Sequence, residues 1–261
     1  MINDRNESAA TGIKWSPSST QICVIYIDGK VIGRSVDDTK SWRRDFNIPL
    51  SLVEWSPDEA HLLFAANDSS SQIKLLDSTG QQQQMRNISI SAHSRDDDGQ
   101  IVAVDWRDER RGRLDSYRPN VAIALANGTI HFRYGIEENC AQPVIIESEI
   151  EISTCKWNPS GSILAVAGKL LTRDKGETKN AARAKFYTCQ GKCIETLCLT
   201  GETGYIPALS WNATGRQIVL ALGCSIVVAD IKNDYLNQWA VIGDSTMMYA
   251  CNVSPCTKIC R

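Results

Sequence analysis

The sequence predicts an all-β chain built from repeated antiparallel sheets, and three observations predict it. The first is a phrase that occurs five times: an apolar approach ending in Trp, a polar turn, then an apolar run. Its anchors are Trp15, Trp55, Trp106, Trp157 and Trp211, at spacings of 40 to 54 residues. The second is the character of the runs that follow, such as Ile22–Tyr26, Leu62–Ala66, Val121–Leu125, Ile163–Ala167 and Ile218–Leu222. They are small, branched or apolar throughout, as strands buried on both faces should be. The third is a set of tight turns after those runs, at Asp28-Gly29, Asn127-Gly128 and Gly223-Cys224. An Asx-Gly pair between apolar runs signals a two-residue hairpin, with both central residues expected at φ > 0.

Strands and turns at this period are the pattern of a WD40-type β-propeller. One such sheet cannot bury both faces alone, so neighbouring units must stack. The expected fold is a partial propeller of about five four-stranded blades, a fragment of a seven-bladed ring. The blades are expected over residues 1–250, with an unstructured tail at 251–261. The first anchor lies at residue 15 and no late strand is positioned to close a ring.

In chain order, residues 12–46 hold the first anchor, a hairpin and an outer strand near Lys40–Arg43. The residue after the Trp is usually Ser or Asn, often with Pro next, which lacks a donor and ends the strand. Residues 47–80 hold the second unit, with a turn at Asp77–Gly80. An outer strand is expected around Met85–Ile90, then an exposed loop with Asp96-Asp97-Asp98. The third unit, 101–135, carries an insertion from Arg107 to Pro119 with five Arg against three acids. A Glu-rich stretch, 136–151, reads as an outer face. The fourth unit, 152–199, is interrupted from Lys169 to Ala184 and resumes at Ala184–Thr188, with a turn at Gln190-Gly191. The basic residues from Lys169 to Lys185, six against two acids, read as a solvated loop. The fifth unit spans 205–231, and beyond it only Trp239–Ile242 and Met247–Ala250 look strand-like.

The formal net charge is −2 on 261 residues, with 43% hydrophobic and 22% charged. That balance gives no electrostatic argument for nucleic acid. No apolar run is long enough for a transmembrane helix, and the first seven residues are too polar for a signal peptide. A cytoplasmic protein is expected. Of ten cysteines, Cys189, Cys193 and Cys198 form one cluster and Cys251, Cys256 and Cys260 another. Neither has zinc-ribbon spacing, so the first reading is reduced thiols, with a metal at Cys189, Cys193 and Cys198 as the alternative. The Asn-x-Ser/Thr sequons carry no expectation of glycosylation.

No catalytic, cofactor-binding or metal residues are assigned. His61, His93 and His131 lie in three different units, and alternation turns His131 outward. Gly201-Glu202-Thr203-Gly204 is a turn and not a phosphate loop, and neither a Walker motif nor a G-x-S-x-G occurs. Asp96-Asp97-Asp98 lacks calcium-loop spacing. The anchor tryptophans read as residues of buried inner strands rather than as a binding surface.

Three passages are more specific than a generic repeat. They are Lys156–Gly168 with Lys185–Thr188, Gln21–Gly29 with Gly33–Asp37, and Ile206–Trp211 with Gln217–Ala221. Together they resemble the WD repeat-containing protein 35 family, WD-repeat subunits of intraflagellar transport complex A. The resemblance covers roughly residues 1–250 and matches the later blades of that family's first propeller. It implies a non-catalytic scaffold that supports retrograde ciliary transport, cilium assembly and entry of membrane proteins into the cilium. Implied partners are other complex A subunits, a tubby-like adaptor and ciliary membrane cargo. Implied locations are the cytoplasm, the cilium, its axoneme and its basal body. The family's second propeller and helical solenoid have no counterpart here. The alternative resemblance is to the WD-repeat region of a tubby-like protein, implying a substrate adaptor of a ubiquitin ligase.

Overall fold

The computed structural model describes residues 8–66, 72–80, 86–89, 99–107, 121–134, 142–171, 181–200, 205–223, 225–232, 235–243 and 250–252. Those residues form antiparallel sheets and no helix. The chain divides into two compact units, Met1–Ile101 and Val102–Arg261.

The first unit holds two sheets. One runs β1 (Ala10–Trp15), β2 (Gln21–Tyr26), β3 (Lys30–Ser35), β4 (Ser41–Asp45) in simple meander order. The other runs β5 (Leu50–Trp55), β6 (His61–Ala66), β7 (Gln72–Asp77), β8 (Arg86–Ser89). Cys23, Ile25 and Val31 of the first sheet meet Val53, Trp55, Leu62, Phe64 and Leu76 of the second in one apolar core, closed by Phe46. Phe46 and Phe64 tilt against each other at 5.1 Å.

The second unit holds three. The first is β9 (Ile101–Trp106), β10 (Val121–Leu125), β11 (Thr129–Arg133) and β12 (Val144–Glu147). The next is β13 (Ile150–Trp157), β14 (Ile163–Leu170), β15 (Ala181–Thr188) and β16 (Cys193–Thr200). The last is β17 (Leu209–Trp211), β18 (Gln217–Leu222), β19 (Ser225–Lys232), β20 (Tyr235–Gly243) and β21 (Ala250–Asn252). It has five strands where four were expected, because β20 also pairs with β21 through Trp239↔Cys251. Alanines keep this stack close: Ala165, Ala167, Ala182 and Ala184 face Ile206, Ile218 and Leu220.

β2, β6 and β10 are buried on both faces, and so is most of β14, as their composition requires. β18 departs from that expectation. Its burial alternates and Val219 is 38% exposed, because only one face of its sheet meets another described sheet.

The short turns differ from expectation. Gly29 N–H donates to the Tyr26 carbonyl at 3.0 Å, and Gly128 N–H to Leu125 at 3.1 Å. Only the glycines have positive φ, +82° and +97°, and the Asx residues do not. Each is therefore a turn closed one residue earlier, with Gly in the left-handed position after it, the geometry of a type I turn with a G1 bulge. The same closure recurs at Gly80 and Gly191 and after Trp15, Trp55, Trp157 and Trp211. At Gly223-Cys224, Gly223 has φ +57° and Cys224 lies outside the described residues. The Asp96–Asp98 loop, the middle of both insertions, His93, Gly201–Gly204 and Met247–Tyr249 also lie outside the described residues.

Candidate interaction rim

Each Ser or Asn after an anchor Trp closes the turn between the first two strands of its sheet. Ser16 N–H donates to the Gln21 carbonyl at 2.8 Å, and the Ser16 hydroxyl accepts from Gln21 N–H at 3.1 Å. Ser56 does the same with His61, at 2.9 Å both ways. The Asn158 side-chain oxygen accepts from Ser162 N–H and Ile163 N–H, and that of Asn212 from Arg216 N–H and Gln217 N–H. This explains the residue choice: a short acceptor side chain must reach back across five residues. Pro17, Pro57 and Pro159 follow with a φ suited to the turn.

The fourth residue after each of these tryptophans is left-handed: Ser19 (φ 61°), Glu59 (φ 61°), Gly161 (φ 64°) and Gly215 (φ 67°). Two units thus place a side chain where glycine is favoured. Ser19→Gly is expected to stabilise the chain by about 0.5–1 kcal/mol in urea unfolding, by relieving that conformation. Glu59 offers no such gain, because its carboxylate accepts from the Ser18 N–H and hydroxyl of the neighbouring sheet.

Asp58 belongs to the same turn. Burial pushes its carboxyl up, but hydrogen bonds from the Ser56 hydroxyl and the Ala60 N–H outweigh burial and hold it below the usual carboxylate range. A carboxyl with a lowered folded value adds stability above its unfolded value and loses it as pH falls through the folded one. Asp58→Asn is therefore expected to remove part of the acid-side loss of the unfolding midpoint, measured between pH 5 and pH 2.

On the inner strands, the residues before Trp15, Trp55, Trp106 and Trp157 link neighbouring sheets in two pairs. Lys14 pairs with Glu54, and Lys156 with Asp105 at 3.9 Å. The Trp55 indole donates to the Lys14 carbonyl at 3.3 Å, and the Trp211 indole to the Lys156 carbonyl at 3.0 Å. The strand pattern read from the sequence does not include a further device. β1, β5 and β13 each carry a bulge four residues before the Trp, at Thr11, Ser51 and Ser153. Their hydroxyls donate to the carbonyls of Ile25 and Ala65 at 3.4 Å and of Ala167 at 3.1 Å. The signal was available as a hydroxyl residue at a constant offset from the anchor.

The anchors are not equally buried. Trp55 and Trp157 are 4% exposed, as expected for inner strands, while Trp15 is 53% exposed. Trp15 and Ile13 lie on the β1 face turned away from the second sheet, and no described sheet covers them there. His131 contradicts the alternation argument: it is 2% exposed, because β11 is a middle strand covered on both faces. His61 is half-buried, in a different sheet from His131. Cys189 is buried, Cys193 and Cys198 are exposed, and all three are free. No three metal-binding side chains gather among the described residues. Glu147, Glu149 and Glu151 lie on an exposed face, where Glu149 pairs with Lys185 at 3.1 Å.

Among the described residues this geometry offers a rim of hydroxyls, amides and ion pairs. Residues 1–232 match the family model described as WDR35/TULP4 N-terminal, a β-propeller. The human WD repeat-containing protein 35 is 32% identical over 251 residues, 96% of this chain and 20% of that protein. The rat protein of the same name is also 32% identical, over 255 residues. Human tubby-related protein 4 is 22% identical over 257 residues, 89% of this chain and 16% of that protein. The chain therefore spans about a fifth or less of the length of these relatives. Among solved structures, the β-propeller domain of Myceliophteria thermophila Cps50 (Swd1) superposes with a TM-score of 0.64 at 14% identity, over 89% of this chain and 69% of that one. A partial, all-β WD40 propeller with this family match over most of its length belongs to the WD repeat-containing protein 35 and tubby-related protein 4 N-terminal β-propeller family.

Proposed function

We propose that this chain is a non-catalytic WD40 scaffold of intraflagellar transport complex A, acting in retrograde ciliary transport, cilium assembly and ciliary entry of membrane proteins. The observation that carries this reading is identity of 32% to human WD repeat-containing protein 35 across 96% of the chain, against 22% for tubby-related protein 4. Binding then comes from turn rims and sheet faces, where a few buried aromatic or Arg contacts dominate the energy. The proposed location is the cytoplasm, the ciliary base and the axoneme.

The test is affinity capture of the native gene product from ciliated cells, with imaging of cilia after its depletion. Co-purification of complex A subunits, with short cilia or material stalled at their tips, is the expected result. Normal cilia together with capture of ubiquitin-ligase subunits would instead support the adaptor reading.

A further inference from the structure

Two junctions between sheets are built alike. Val53 and Trp55 of β5 share a core with Cys23 and Ile25 of β2 and Val31 of β3, and the Trp55 indole donates to the Lys14 carbonyl. Leu209 and Trp211 of β17 share a core with Ala165 and Ala167 of β14, and the Trp211 indole donates to the Lys156 carbonyl. Each junction therefore has two halves. The Trp half is an anchor and the residue two before it. The receiving half is an apolar face of the neighbouring sheet, with the carbonyl of the residue that precedes that sheet's own Trp.

One copy of each half is exposed. Ile13 and Trp15, 61% and 53% exposed, hold the β1 positions that Val53 and Trp55 hold in β5. Val24, Tyr26 and Ile32 on the same face are buried, so the exposed part is a strip along β1. The exposed receiving half is Val219, 38% exposed, and Ile226, 47% exposed. Val219 follows the cross-strand partner of Trp211 as Cys23 follows that of Trp15. Ile226 lies opposite Ala221 as Val31 lies opposite Ile25. Ser210 precedes Trp211 as Lys14 precedes Trp15. Single exposed apolar residues are ordinary, but these two strips repeat the two halves of a junction the fold already makes.

We propose that the two strips are the complementary surfaces of a head-to-tail contact between two copies of this chain. Ile13 and Trp15 of one copy seat against Val219 and Ile226 of a second, and the Trp15 indole donates to the Ser210 carbonyl of that second copy. The contact continues the junction seen between neighbouring sheets, with the same apolar cover and the same indole-to-carbonyl bond. It joins unlike surfaces, so each added copy leaves one half of each kind free, and the assembly grows as a chain or closes as a ring. The inference stands apart from the ciliary reading, and its test needs no ciliary complex, so either can fail alone.

The test is sedimentation velocity of the full chain over about a hundredfold range of concentration, since self-association follows mass action. Wild type is expected to form dimers and then larger species as concentration rises. Trp15→Lys and Val219→Lys each place a charge in the contact and are expected to weaken association about tenfold or more. Both positions are exposed, so both variants are expected to keep the wild-type urea midpoint. An equimolar mixture of the two is expected to give dimers and nothing larger, because each variant retains the half that the other has lost. Trp15→Phe keeps a ring and loses the donor, and is expected to weaken association about two- to tenfold. A monomeric wild type overturns the proposal, and a Trp15 indole shielded from acrylamide in that monomer places the cover of β1 within the chain. Association untouched by either lysine variant overturns it in favour of another surface. A mixture that fails to pair while wild type associates overturns it in favour of a contact between like surfaces. A longer native gene product that is monomeric also overturns it, since its own further sheets then occupy both strips.

Discussion

Replacing Gly29 by Ala is expected to destabilise the first unit by about 3 kcal/mol or more, read as a lowered urea midpoint for residues 8–66. Gly29 sits at φ +82°, in the turn between β2 and β3. The connection from β4 to β5 presses directly on it. An added Cβ would lie 2.9 Å from Ile48 C and 3.0 Å from Ile48 N, and closer still to the Ile48 carbonyl oxygen. These are backbone atoms of a segment already committed: Phe46 N–H donates to the Gly29 carbonyl at 3.1 Å, and Asn47 is left-handed at φ 53°. The left-handed conformation alone costs an alanine about 1–2 kcal/mol, and the clash adds to it because no side chain can swing away.

A graded series checks the cause. In Gly128→Ala the new atom meets the Ile150 carbonyl at 2.6 Å, and a loss somewhat smaller than at Gly29 is expected. In Gly215→Ala the nearest atom is Pro159 Cδ at 3.2 Å, so little beyond the conformational cost of about 1–2 kcal/mol is expected. Equal losses at all three positions would show that steric pressure from the connecting segments is unimportant.

Trp157→Ala is expected to cost about 3–5 kcal/mol, the usual range for deleting a buried aromatic side chain. Trp157 is 4% exposed, packs in the core shared by the third and fourth sheets, and tilts against Phe132 at 5.2 Å. Trp15→Ala, the same substitution at the equivalent repeat position, is expected to cost about 1 kcal/mol or less, since Trp15 is 53% exposed. The pair separates two roles of one motif. If both substitutions cost the same in thermal and urea unfolding, the tryptophan acts through its own strand and not through the face it buries.

The repeat was legible because it is written in residue types. Trp at a constant phase, Ser or Asn after it, Pro next and a branched apolar run specify where strands end and which runs are interior. That was enough for the all-β class, the five sheets and the outer strands near Ser41 and Arg86. Compositional signals failed wherever the outcome depended on what lies across the face. Ile218–Leu222 is as apolar as its counterparts, yet it alternates in burial, since apolarity reports a preference for cover and not its presence. His131 reads as an outward residue by alternation, yet a middle strand packed on both sides has no outward face.

The other hidden features are conserved in backbone geometry and not in residue identity. The left-handed position four residues after the Trp holds Ser19, Glu59, Gly161 or Gly215, and the left-handed residue between sheets is Asn47 in one place and Glu149 in another. No residue pattern marks them, because the turn closure imposes φ and neighbouring hydrogen bonds offset its cost. Sequence by itself determined the period, the strand and turn grammar and the family. The tertiary structure alone decided which anchors are buried and which glycines are irreplaceable. Those outcomes depend on contacts between sheets that are far apart in the chain, and a local pattern carries no information about the partner that will cover it.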